Sequence, residues 1–454
     1  VFVVADGLRP DTLDAAIARG DVPALAALRA AGGTHELTTC FPSVTGLAYV
    51  PFVMGCHPAE AGLPGLRWVD RTRRTVRLPA HARSYVGYGI KRLDGDVDPA
   101  RPTLFERAQP AMTAMSMITR GVPHHRRIAR GWWWGMRGIR THYFGNLDDW
   151  LRVDEEVAQL VTRRVARERP RFTLAAFMGI DKASHARGHD SAEARQALRI
   201  VDRLVGRLRA QAAGDGDPLH VWVASDHGHS AVDRHDEIAD VVRATGARVI
   251  AHPWVIGARG DVAVMVGGNA MAQLYLEPAR REPAGWPALA PRWGALADAL
   301  LARESVDLLF VRVGPGVVRV RSRTHGDATV IAHGAGRALE VEHVHDTGNP
   351  LGAPAGRFTR DDAWSVTQGS AYPDALVQCA LLAQSPRVGD LWLSAAPGWD
   401  FRARYEPMPH VSTHGALTRA QMRVPFLCDT PPTMVLRRTT DLHALAEHAL
   451  GLAP

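Results

Sequence analysis

Three aspartates in this sequence each stand just past a short apolar run. Asp6 follows Phe2-Val3-Val4-Ala5, Asp181 lies a few residues beyond Phe172-Thr173-Leu174-Ala175-Ala176-Phe177, and Asp226 follows His220-Val221-Trp222-Val223-Ala224-Ser225. Two of them have a histidine close by: His185 is four residues beyond Asp181, and His227 directly follows Asp226. A further candidate, His414, sits alone in Thr413-His414-Gly415. Carboxylate and imidazole together are donors that zinc or manganese takes at a hydrolytic centre, with a position left open for a substrate oxygen. Asp181 and His185 reach one ion if their segment is helical, because residues four apart share a helix face. Asp226 and His227 diverge in an extended segment but can face a common site where a strand turns into a loop. Taken one at a time, each pair reads more readily as a turn cap or a surface pair. Their combination, with three of the four at strand ends, is what points to a site.

The apolar runs are β-branched and aromatic, as buried strands are. Between the second and third, Ala194, Ala197, Leu198, Val201, Leu204, Val205 and Leu208 recur at helical spacing. Strand, helix and strand in that order argue for a parallel crossover, and open α/β sheets place their ligands at the C-terminal ends of the strands, where all three aspartates fall. Pro23 to Ala31 and Pro373 to Gln384 read as further helices, and Gly389 to Leu393 and Val424 to Leu427 as further short strands. The expected fold is an α/β core with a mostly parallel sheet flanked by helices, one domain spanning 1–454. Two irregular stretches, about Pro64 to Trp150 and about Gly246 to Trp364, read as inserted cap elements, the second with strand-like pieces from Leu308 to Val320.

With these motifs in chain order, the sequence resembles the type I phosphodiesterase/nucleotide pyrophosphatase branch of the alkaline phosphatase superfamily. Val3-Val4-Ala5-Asp6-Gly7-Leu8-Arg9-Pro10-Asp11 is similar to the family's opening strand and metal-binding Asp. Phe41-Pro42-Ser43-Val44-Thr45, with a helical stretch to Met54-Gly55-Cys56-His57-Pro58, is similar to its nucleophile loop. Asp181 with His185, Ser225-Asp226-His227-Gly228 and Ser412-Thr413-His414-Gly415 match its remaining ligand motifs. The resemblance implies an alkaline-phosphatase-like core and two divalent ions, zinc expected and manganese the alternative. One ion would be held by Asp181, His185 and His414, the other by Asp6, Asp226 and His227 with the Thr45 oxygen. It also implies in-line attack of Thr45 on phosphorus, a phospho-threonine intermediate and its hydrolysis by water. A threonine at a helix start is chemically apt, since the helix N-terminus and a nearby cation both favour its alkoxide.

Cys40-Phe41-Pro42-Ser43 resembles the start of the sulfatase formylglycine signature, yet Val44 stands where that signature has Arg. In both families the nucleophile precedes by ten residues the Gly closing the next helix, so Gly55 selects Thr45, and Cys40 is expected to be a buried strand residue. Gly46-Leu47-Ala48-Tyr49 departs from the family's Phe-Pro-Asn-His, whose Asn binds a phosphoryl oxygen. Ala48 has no donor to offer, so Arg9, Tyr49 or an arginine from the 64–150 stretch is expected to bind the substrate's charge. A phosphodiesterase is the leading expectation. A phosphomonoesterase, a phosphonate hydrolase or transfer to a non-water acceptor would use the same site. A catalytically silent binding protein is the alternative of another class, against which the complete set of ligands and nucleophile argues.

The formal charge of +7 is spread along the chain, and all but two of the 54 basic residues are Arg, the exceptions being Lys91 and Lys182. A small phosphorylated substrate, of nucleotide or lipid-head-group type, satisfies such a charge as well as a nucleic acid does, and no nucleic-acid-binding module or Walker-type loop is recognisable. No apolar run reaches the roughly 18 residues of a membrane span. Cys40, Cys56, Cys379 and Cys428 form no C-x-x-C pair and are expected to be free or buried thiols. The sequence opens at Val1 inside an apolar run, so residues are expected to precede it, and the cytoplasm is favoured over the periplasm or exterior. His189, His229 and His410 near the ligand motifs are expected to be exposed loop residues, with support of a ligand as the alternative. His124-His125-Arg126-Arg127-Ile128-Ala129-Arg130 and Trp132 to Trp134 read as a basic solvated helix whose tryptophans pack on the core; a segment facing substrate or lipid is the other reading.

Overall fold

The opening apolar run forms β1 (Phe2–Ala5), the centre of a seven-stranded sheet. With β2 (Thr34–Thr38), β3 (Ala111–Ala114), β4 (Arg127–Ile128), β5 (Phe172–Phe177), β6 (Trp222–Ala224) and β7 (Arg423–Leu427) the order is β2-β7-β6-β1-β5-β3-β4. All neighbours are parallel except β7, which runs against both β6 and β2. The computed structural model describes residues 1–72, 81–144, 147–215, 219–253, 259–402, 404–406 and 409–452. Residues 73–80, 145–146 and 254–258, which belong to the two stretches read as insertions, lie outside the described residues.

Side chains alternate across the sheet. Phe2 and Val4 enter one apolar core, where Phe52 and Val53 of the short helix Val50–Met54 meet them, while Val3 and Ala5 enter the other. The second core is closed by α1 (Pro10–Ala18), α2 (Pro23–Gly32), α4 (Leu147–Glu168) and α6 (Ala192–Asp215). Burial on both faces is why β1 and β5 read as unbroken apolar runs. The apolar stripe from Ala194 to Leu208 lies on α6 and is fully covered.

Of the 64–150 stretch, β3 and β4 pair into the main sheet at its edge. The 246–364 stretch supplies eight strands of a separate nine-stranded sheet, Leu308 to Val320 forming the hairpin Val306–Gly314 and Val317–Ser322. The ninth strand, Leu391–Ala395, lies beyond that stretch and pairs between Met271–Leu276 and Val306–Gly314. The helix α7 (Ala375–Gln384) shares a core with the outer part of this sheet.

The tryptophans depart from expectation. They open the helix α3 (Trp132–Phe144), of which only Thr141 is buried, and Trp132 and Trp133 are 80% and 74% exposed. Trp134 alone of the three packs on the core, with Arg137 over its ring and tied to Glu156 of α4. No described helix is long and apolar enough to cross a membrane.

Candidate active site

The parallel register brings the first two aspartates together. Val4 of β1 lies opposite Ala224 of β6, so Asp6 and Asp226, each two residues further on, leave the sheet at the same level. The Asp6 amide donates to Phe177 O at 3.1 Å, and the Gly7 amide donates to Asp226 Oδ1 at 3.3 Å. Asp226 Oδ2 is buried without a hydrogen-bond partner. His227 Nε2 lies 3.3 Å from Asp6 Oδ1 and 3.6 Å from Asp226 Oδ2. Thr45 Oγ1 lies 3.2 Å from Asp6 Oδ1 and 3.0 Å from His227 Nε2. Donors arranged tetrahedrally about 2.0–2.1 Å from one ion are separated by about 3.3 Å, and these four contacts, of 3.0 to 3.6 Å, are of that length.

Asp181 and His185 occupy one face of α5 (Gly179–Arg187). The helix is fixed at its start by Asp154 of α4, whose carboxylate accepts from the Gly179 amide at 2.7 Å and the Met178 amide at 3.3 Å. Burial pushes the Asp154 carboxyl up from 3.8 to about 7. The folded state therefore keeps a proton that the unfolded chain has lost. Its stabilising contribution is full below about pH 4 and is lost as pH rises through about 7. We predict that Asp154→Asn removes this slope, flattening the dependence of Tm on pH between 4 and 8 by an amount equivalent to roughly 2–4 kcal/mol.

Three imidazoles converge on Asp181 Oδ1: His185 Nε2 at 3.2 Å, His229 Nε2 at 3.0 Å and His414 Nε2 at 3.6 Å. His414 arrives from the strand Ser412–Thr413, which pairs antiparallel with Ser230–His235, Thr413 opposite Ser230. Asp181 Oδ2 accepts from Lys182 Nζ at 2.9 Å. His227 and His414 stack, with ring centroids 3.7 Å apart and 7° between planes, so the two clusters share a wall.

Thr45 is presented by a loop fixed on all sides. The Phe41 amide donates to Gln378 Oε1 of α7, Ser43 Oγ donates to Ala416 O, and His414 Nδ1 donates to Ser43 O at 2.9 Å. Gly46 has φ +85°, and a β-carbon there would run into Met117 Sδ. From Leu37 to Met54 only Thr45 is not buried. Cys40, by contrast, is fully buried just beyond β2, and burial pushes its thiol pKa up. All four cysteines are free and buried.

Asp6, Asp181 and Asp226 are at most 1% exposed, and Lys182 is the one cation of an Arg or Lys side chain that a described contact places on them. Buried carboxylates without counter-charge are strongly disfavoured unless paired or bound to metal. Burial, and next the Asp6 charge, push the Asp226 carboxyl well up. The spacing, the partnerless Asp226 oxygen and the charge imbalance all fit divalent cations.

Tyr49 and Arg9 are turned to other partners than a substrate. Tyr49 is fully buried and its hydroxyl donates to Asp6 Oδ2 at 3.1 Å, so it orients that carboxylate. Burial and the Asp6 charge hold its pKa well up, which keeps it a donor. Tyr49→Phe is expected to weaken cation binding beside Asp6 by about 10- to 100-fold in a chelator competition titration. Arg9 pairs through Nε with Asp11 at 2.8 Å and donates through Nη1 to His229 O at 2.6 Å.

His229 contradicts the expectation of an exposed loop residue: it is fully buried within the Asp181 cluster, and burial holds its imidazole down to about 3. Alternation was the signal. Around an extended segment His227 and His229 face the same way, and Ser230–His235 is a strand. His410 is largely covered, stacked on His185 with centroids 4.1 Å apart. His189 is half-buried beside Asp190, and no described contact joins it to either cluster. Lys182, noted in the sequence only for its rarity, had no spacing signal.

An α/β sheet that gathers carboxylates, imidazoles and a reachable threonine hydroxyl at its strand ends defines a hydrolase of the phosphohydrolase class. The sequence model of the type I phosphodiesterase/nucleotide pyrophosphatase family matches residues 1–417, and the chain belongs to that family. It is accordingly an enzyme acting on phosphoric ester bonds. Phosphonoacetate hydrolase from Sinorhizobium meliloti 1021, solved with phosphonoformate, aligns over 99% of this chain and 95% of its own, with a TM-score of 0.58 and 15% identity. An inactive variant of murine ectonucleotide pyrophosphatase/phosphodiesterase 5, solved with AMP, aligns over 100% and 94%, with a TM-score of 0.58 and 14% identity. The human protein of that name gives 0.57 and 13% over 100% and 94%. At these identities the likeness is one of fold. No curated protein sequence matches the chain.

Proposed function

We propose that the chain is a two-ion phosphodiesterase in which Thr45 is the nucleophile. The observation that carries this reading is Thr45 Oγ1, within 3.2 Å of both Asp6 and His227 and the one residue of its loop and helix that is not buried. Asp6, Asp226 and His227 with the Thr45 oxygen would hold one ion, and Asp181, His185 and His414 the other. The carboxylate and imidazole donors suit zinc, with manganese the alternative. When bound, such ions supply Lewis-acid stabilisation of the developing charge and lower the pKa of a hydroxyl or water beside them.

The chain's own part begins with Thr45, which is held in place by its loop and whose hydroxyl proton ends on the leaving oxygen as Oγ1 attacks. A bond forms between Oγ1 and phosphorus while the bond from phosphorus to the leaving oxygen breaks, leaving phospho-threonine. Attack of water on the same phosphorus breaks the Oγ1 bond, releases phosphate or its monoester and restores the hydroxyl. Tyr49 and Lys182 hold Asp6 and Asp181 in position throughout.

Arg67, from the stretch expected to supply a charge-binding arginine, is 6% exposed, donates through Nη1 to Val266 O at 2.8 Å and has no partner for Nε. Arg402 is 7% exposed, pairs with Glu406 and has no partner for Nε or Nη1. We assign these guanidinium groups to an anionic arm of the substrate, in place of the family's Asn. Arg67→Met is expected to raise KM by at least about tenfold, with a smaller change in kcat.

Ala48 favours a second reading, in which the same site acts on a phosphonate or a monoester. Turnover of bis-p-nitrophenyl phosphate, p-nitrophenyl phosphate and phosphonoacetate, each with Thr45→Ala as control, separates the readings. The diester is expected to be the best substrate. A preference of tenfold or more for either of the others would replace the diester reading.

A further inference from the structure

The helix α3 keeps most of its large apolar side chains in water. Trp132, Met136, Ile139 and Tyr143 follow one another at i, i+4, i+7 and i+11, and Trp133 and Phe144 flank that row, so all six fall on one side of the helix. Trp132, Trp133 and Phe144 are 74–86% exposed and the other three 40–47%. The opposite side is the one that packs: Trp134 joins the core, Thr141 is buried, and Arg137 is tied to Glu156 of α4. Those contacts fix which face looks outward. Large apolar side chains gathered on one exposed face mark a surface that meets a partner.

We propose that this face of α3 docks on an anionic lipid surface, its aromatic rings entering the interfacial layer and the arginines around it meeting the phosphate head groups.

The charge around the helix selects that partner. Between Glu106 and Asp148 the chain has seven arginines and no acidic residue. Arg107, Arg120 and Arg137 pair with Glu447, Glu106 and Glu156, whereas no described ion pair engages Arg126, Arg127, Arg130 or Arg140. Arg140 is exposed and stands within the apolar face itself. Tryptophan and tyrosine beside arginine are what surface-lying helices carry, the rings settling at head-group level while the guanidinium groups stay with the phosphates. A second copy of the chain is a poorer occupant, because a twofold contact through this face would set two basic surfaces against each other.

The helix also ends beside the candidate active site. His142 lies in its last turn, and burial, and next the charge of Lys182, hold that imidazole down to about 4. Lys182 is the partner of Asp181. Docking through α3 would therefore bring the site close to the head groups. The proposal concerns where the enzyme works and stands apart from the two-ion reading of how it works.

Cosedimentation of the full chain with vesicles tests it, using phosphatidylcholine alone or in equal parts with phosphatidylglycerol. Wild type is expected to sediment with the anionic vesicles and to be released by high salt, which screens the arginines. Trp132→Ala with Trp133→Ala is expected to weaken that binding at least about tenfold. Arg140→Gln is expected to weaken it about fivefold. An unchanged Tm shows that each variant is folded; if the double alanine variant is not, Trp132→Gln alone is measured and judged by the same loss of binding. Wild type that stays in solution with the anionic vesicles, tryptophan variants that sediment as well as wild type, or equal binding to the neutral vesicles would each overturn the proposal. So would a chain that elutes as a dimer until the tryptophans are replaced and binds no vesicle, since the face then belongs to a second copy. None of these results bears on Thr45 or the ions, which are tested with soluble substrates and chelators.

Discussion

Replacing Thr45 by Ala is expected to lower kcat by roughly 10⁴-fold or more, well beyond the effect of loosening the ion that Asp6, Asp226 and His227 still hold. The size follows from the absence of a substitute nucleophile. Cys40 is sealed in the interior with its thiol pKa raised, and Ser43 is buried with its hydroxyl donating to Ala416 O. Thr45→Ser keeps the attacking oxygen and loses only the methyl group that restricts its rotamer. It is expected to lie within about 100-fold of wild type, a smaller loss than that of Thr45→Ala. Steady-state turnover of the best diester substrate checks both. Retention of a tenth of wild-type activity by Thr45→Ala would remove Thr45 from the mechanism.

Removing divalent cations with a chelator is expected to abolish turnover and to lower Tm by several degrees, both restored by adding zinc or manganese. An ion present at 100 times its Kd stabilises the folded state by about 2.7 kcal/mol, so two contribute about 5 kcal/mol. The loss includes the repulsion that returns when Asp6, Asp181 and Asp226 face one another in a buried space. Scanning calorimetry with and without chelator measures it. An unchanged Tm with activity intact would leave the clustered carboxylates without the cation assigned to them.

How much of this was legible depends on whether a signal is local. An apolar run ending in Asp is local, and so is the four-residue step from Asp181 to His185 on α5. Asp6, Asp181 and Asp226 could therefore be placed at strand ends from sequence. Which strands lie side by side is not local, and the register that levels Asp6 with Asp226 came only with the fold. His229 was misjudged for the same reason: its burial depends on Ser412–Thr413, nearly 200 residues away, pairing over it. Tyr49 and Arg9 were expected to bind the substrate's charge from their place in the motifs alone, and where such a side chain points follows from packing, which is not local. Beyond the strand-like run from Leu308 to Val320 the second sheet was harder still, since strands such as Glu340–His345 alternate buried with more open residues and mix Glu and His with Val, so they lack the continuous apolar run that marked the central strands.

The distance along the chain between the donors has a consequence for biosynthesis. Asp6 is made well before His414, which follows it by about four hundred residues, on the order of half a minute at roughly 5–20 residues per second. Through that interval the first donors have no complete partner set to share an ion with. On the two-ion reading, loading comes late among the folding events, after Ser412–Thr413 and β7 have been made. On that reading the ions, joining donors far apart along the chain, are acquired late.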